Sequence, residues 1–97
     1  MLKNSEQLLE SARKNVEACL ALMGEKTKLY GVRTVGELGA RGEFVQIHRK
    51  YTRLRQMIWE GKSDDALQKK HRETVVDTLF DMINYCLIML AVLEAEK

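Results

Sequence analysis

The chain has no proline among its 97 residues, so nothing obliges a helix to break from within, and its six glycines must supply the punctuation. Cysteine is scarce. Cys19 and Cys86 sit among apolar neighbours with no CxxC or Cys/His spacing, which argues against a disulfide framework or a zinc knot. Two buried free thiols are expected instead, in a reducing setting. Long hydrophobic runs are also missing: the stretch from Met82 to Leu93 covers twelve residues, against the roughly 20 needed to cross a bilayer. It is expected to be core or interface, with no membrane as partner. Met1 leads into Lys3 and a polar run rather than a signal-peptide core, so the expected location is the cytoplasm. Neither an internal repeat nor a low-complexity tract is visible, and the length suits one helical domain over residues 1–97.

What remains is an ordinary soluble composition, 45% hydrophobic and 31% charged, with a net charge of +2. That small total hides an asymmetry. Residues 41–72 carry a net +5 and residues 73–97 a net −4, so a basic segment precedes an acidic and apolar one.

Apolar periodicity predicts three helices. Asn4, with Gln7 three residues on, caps a first helix whose buried face is Leu8, Leu9, Ala12, Val16, Cys19, Leu20 and Met23, ending at Gly24. From Glu25 to Gly42 the period fails, and Gly31, Gly36, Gly39 and Gly42 mark a long loop of the kind that often carries function. A second helix is expected from Glu43 to Glu60, with an apolar seam of Phe44, Ile47, Tyr51, Leu54 and Ile58, stopped by Gly61. Ser63 or Asp64 would cap a third helix of about thirty residues, roughly 45 Å long. Its far end is apolar on nearly every side and so must be surrounded. The expected fold class is therefore all-α, three main helices with a glycine-rich loop between the first two. The long C-terminal helix would lie in a homo-oligomeric bundle.

Glu73, Asp77 and Asp81 stand four residues apart, which stacks three carboxylates on one helical face. Like charges so placed repel by roughly 0.2–0.5 kcal/mol per pair. Two readings compete. Mg²⁺ takes oxygen ligands and substrate phosphates, so the row could hold that ion as a cofactor. Alternatively, Lys50 and Arg53 on the second helix could bridge to it as structural ion pairs.

The basic flank of the second helix, with His48, Arg49, Lys50, Arg53 and Arg55, offers forks for phosphates. Tyr30 and Arg33 in the loop and Trp59 beyond the helix add stacking surface and charge. Nucleic acid is a poor fit, because the net charge is small and no reading motif is present. YGVRTVGELGARG lacks both GKS/T and GxGxxG, so the loop is neither a Walker nor a dinucleotide fingerprint. His48 and His71 are isolated and read as surface or packing residues.

Lys26 and Tyr30-Gly31 in KTKLYG, Lys50, Arg53 and Leu54 in RKYTRL, and DTLFDMINY at 77–85 together resemble the nucleotide modification associated domain family of phages and prophages. The resemblance spans roughly residues 22–93 and implies a helical protein linked to phage nucleotide metabolism. It marks Lys26, Tyr30, Gly31, Lys50, Arg53, Asp77, Asp81, Asn84 and Tyr85. Leu29 stands where that family usually has Asp, which removes a carboxylate from the loop. The third helix is also distantly similar to the all-α nucleoside triphosphate pyrophosphatases, although its spacing is Glu73-xxx-Asp77 and no EExxE helix accompanies it.

The function expected on these grounds is binding or sequestration of a nucleotide or cyclic nucleotide signal without turnover, in an anti-defence role. Its ligand-binding residues would be Lys26, Tyr30, Arg33, Lys50, Arg53, Asn84 and Tyr85. A Mg²⁺-dependent nucleotide pyrophosphatase using Glu73, Asp77 and Asp81 is the alternative, and a non-catalytic helical interaction protein a second. No catalytic residue is assigned.

Overall fold

A computed structural model describes residues 1–60 and 72–96, with side chains from Thr74 onward in the last helix. These residues form three helices, α1 (Ser5–Tyr30), α2 (Gly39–Ile58) and α3 (Arg72–Ala95), and no strand. The protein is all-α. The expected cap at Ser63 or Asp64, the Gly61 stop and His71 lie outside the described residues.

Asn4 caps α1 as its position suggests. Its backbone is extended and its Oδ1 accepts from the Gln7 N–H at 3.0 Å, while Gln7 Oε1 accepts from the Lys3 N–H at 2.8 Å. The helix does not stop at Gly24. It continues to Tyr30, and Gly31, at φ +79°, caps it by donating its N–H to the Thr27 carbonyl at 2.8 Å. One interior glycine costs only about 1 kcal/mol relative to alanine. The last two turns escape an apolar-period search because they face their neighbours with polar groups, Lys26 and Thr27.

The expected long loop thus shrinks to residues 31–38. It is folded into turns, with Val35 N–H to Gly31 O at 3.3 Å and Gly39 N–H to Gly36 O at 2.9 Å. Gly36 combines φ +84° with a close approach: a Cβ there would lie 3.0 Å from Val92 Cγ2. Glycine lets the loop press onto α3 at that point.

α2 begins at Gly39, four residues before its expected start, without a side-chain cap, and ends where the Trp59 N–H meets the Arg55 carbonyl at 2.9 Å. Its expected apolar seam is only partly used. Phe44, Tyr51 and Ile58 are exposed, whereas Glu43 is buried and Gln46, Ile47, Lys50, Leu54 and Met57 are half-buried. The helix is rotated so that a mixed polar face meets the rest of the chain.

α3 packs mainly on α2 and, less extensively, on α1, while α1 and α2 do not pack on each other. A cleft opens between them. The radius of gyration is 15.3 Å, against about 12.5 Å for a compact chain of this length. The expected burial of the α1 stripe is correspondingly unmet: Cys19 is fully buried, but Leu8, Leu9, Ala12, Val16 and Leu20 are exposed. Cys86, expected inside, is exposed as well.

The apolar end of α3 resolves into two faces. Asp81, Asn84, Tyr85 and Ile88 point to the cleft. On the far side Val76, Leu79, Ile83, Cys86, Leu90 and Leu93 are all exposed, spaced alternately three and four residues apart, the spacing that a and d positions have in coiled coils. Thr74–Ala95 is 22 residues long and contains a stretch with a mean hydropathy of 1.7, long and apolar enough by length and composition to cross a membrane, beyond the twelve-residue run counted in the sequence.

Candidate functional site: a cleft between three helices

The cleft encloses about 390 Å³, within the range of small-molecule sites. Each helix supplies one face. α1 contributes Met23, Lys26, Thr27 and Tyr30, spaced i, i+3, i+4, i+7; α3 contributes Asp81, Asn84, Tyr85 and Ile88 at the same spacing. Gly42, Glu43 and Gln46 come from α2, and residues 34–38 of the loop close one side.

Asp81 is the electrostatic centre of this wall. Its Oδ1 lies 3.2 Å from Lys26 Nζ and its Oδ2 lies 3.2 Å from Lys50 Nζ, so one carboxylate ties α1 and α2 to α3. Burial alone would push its pKa up. Hydrogen bonds from Lys50 and Lys26, with the charges behind them, outweigh that effect and hold it below the ordinary carboxylate range. The ion-pair reading of the acidic row is therefore realised at Asp81, with Lys50 as expected and Lys26 added. Asp77 is exposed, and the side chain of Glu73 lies outside the described residues. Among the described residues no three metal-ligating side chains come together. Both Asp81 oxygens already face ammonium groups, so an ion at that carboxylate would have to displace a lysine.

Two buried groups in the cleft lack hydrogen-bond partners among the described residues. Asn84 is 4% exposed and neither its Oδ1 nor its Nδ2 is hydrogen-bonded; Glu43 is 7% exposed and its Oε2 is unpaired. Burial raises the Glu43 pKa. Each such group costs roughly 1–3 kcal/mol when left unsatisfied, which marks the pair as candidates for ligand contact. Asn84 was expected at the site. Glu43 was not, because one glutamate at the start of a helix carries no sequence signal; only its burial marks it.

Beside the cleft lies a second, shallower groove of about 660 Å³, lined by Gln46, His48, Arg49, Lys50, Thr52, Arg53, Gln56 and Tyr85. Gln46 and Tyr85 line both spaces. Of the expected binding residues, Lys26, Tyr30, Asn84 and Tyr85 meet in the cleft, and Lys50 and Arg53 in the adjoining groove. Among the described residues Arg53 makes no ion pair with the acids, and Arg33, exposed in the loop, lines neither space. Trp59 is exposed and also lines neither. Comparison of the chain with family models, curated proteins and solved structures finds no match.

Proposed function

We propose that the protein binds a nucleotide or nucleotide-derived signal, with its base in the cleft and its phosphates over the basic groove, and holds it without turnover. The observation that carries this reading is a cavity lined by the unpaired, buried Glu43 and Asn84 beside a cationic groove that shares Gln46 and Tyr85 with it. Buried donors and acceptors suit the polar edge of a base, Tyr30 and Tyr85 supply faces for stacking, and Arg49 and Arg53 suit phosphates. Asp81 keeps Lys26 and Lys50 at the junction. Binding is favoured over hydrolysis because the carboxylate best placed for chemistry is neutralised by two lysines. The resemblance to phage proteins gives the role its direction: sequestration of a host defence signal.

The protein is further read as a homo-oligomer. Val76, Leu79, Ile83, Cys86, Leu90 and Leu93 form one exposed apolar stripe along α3 that a second copy would bury. The outer seam of α3 suits a second copy and leaves the cleft free on the opposite face.

Calorimetry against nucleotides and cyclic nucleotides, followed by heat release of the ligand, tests the proposal. Saturable binding with recovery of intact ligand is expected. An absence of binding across the panel, or recovery of cleaved ligand, overturns it.

A further inference from the structure

We infer that the cleft selects nucleobases bearing an exocyclic amino group, which is held between the Glu43 carboxylate and the Asn84 amide. This rests on the nucleotide-binding reading and adds the class of base to it. Two buried side chains line one cavity, and their polar atoms Glu43 Oε2 and Asn84 Oδ1 and Nδ2 have no hydrogen-bond partner among the described residues. In hydrogen-bond terms they present two acceptors and one donor. A ligand that satisfies all three must bring at least two N–H hydrogens and one acceptor on the same edge.

Adenine does so with the two hydrogens of its 6-amino group and a ring nitrogen beside it, and cytosine with its 4-amino group and N3. Guanine offers N1–H, its 2-amino group and O6. Hypoxanthine and uracil have one ring N–H on that edge and a carbonyl oxygen in place of the amino group. They would leave an acceptor unpaired and set an oxygen against the Glu43 carboxylate. A site built to bond an N–H rejects the analogue that lacks it more strongly than a hydrophobic pocket rejects a missing methylene. One correctly read base edge is worth about 1–3 kcal/mol, or roughly tenfold to a hundredfold in affinity.

Titrating the full chain with ligands paired by deamination tests this directly. Adenosine 5′-monophosphate is compared with inosine 5′-monophosphate, and cytidine with uridine 5′-monophosphate, together with their 3′,5′-cyclic forms. Phosphate and ribose are identical within each pair, so the basic groove contributes equally. The amino-bearing member should bind at least about tenfold more tightly. Glu43→Gln, checked for folding by circular dichroism, should shrink that ratio toward unity, since its amide can donate to the carbonyl of the deaminated base. Equal affinities within both pairs for the native protein overturn the inference and leave nucleotide binding standing. If none of these ligands binds, both fall.

Discussion

Lys50 on α2 and Asp81 on α3 meet at 3.2 Å, and the other oxygen of the same carboxylate meets Lys26 of α1. A half-buried acid thus joins three helices, two of which do not touch each other. Asp81→Asn removes both attractions and leaves two ammonium groups facing each other. A loss of about 1–2 kcal/mol in urea denaturation is expected at neutral pH. Because the folded pKa lies below the unfolded value, this stabilisation is present above the ordinary carboxylate pKa. It disappears as pH falls through the folded value. Native protein and variant should therefore converge in acid, and a gap that persists there contradicts the assignment.

Glycine substitutions should separate by backbone. Gly24 lies inside α1 with open space around its missing Cβ, so Gly24→Ala should stabilise by about 0.5–1 kcal/mol. Gly36 has positive φ and Val92 against it, so Gly36→Ala should destabilise by about 1–3 kcal/mol. Thermal melts of the two variants moving in the same direction would refute this loop geometry.

The two thiols should react at very different rates. Cys19 is fully buried and burial raises its pKa, whereas Cys86 is exposed on the α3 seam. Thiol labelling followed by mass spectrometry should modify Cys86 first in dilute protein, with protection appearing as concentration rises and the seam is covered. Rapid labelling of Cys19 in the folded protein would be inconsistent with the full burial of that side chain.

Assembly through α3 is checked by replacing Leu79 and Ile83 with Asp. Analytical ultracentrifugation should show the native chain as an oligomer and the double variant shifted to monomer, with helicity retained. Monomeric native protein sinks this interface, and partition into phospholipid vesicles in place of self-association would assign the apolar face to lipid.

Within the described residues, helix formation and its start at Asn4 follow from local chemistry: a capping side chain, absent proline and apolar spacing. These signals act within one turn, so they are legible in the sequence. The end of α1 was not. Its last turns are stabilised by Lys26 reaching Asp81, 55 residues away, and no local pattern carries that information.

The site divides similarly. Lys26, Tyr30, Asn84 and Tyr85 were marked by the motifs KTKLYG and DTLFDMINY, and the structure brings them to one cavity. Glu43 stayed hidden because burial is a property of packed helices rather than of residue type. The amino-acid order alone settled an all-α chain, a basic strip and an acidic turn before a long apolar helix. Tertiary packing decided which carboxylate is neutralised, which face of α3 lines a cleft and which is left exposed. Those outcomes depend on how the helices rotate about their own axes, and rotation is set by contacts between residues distant in sequence.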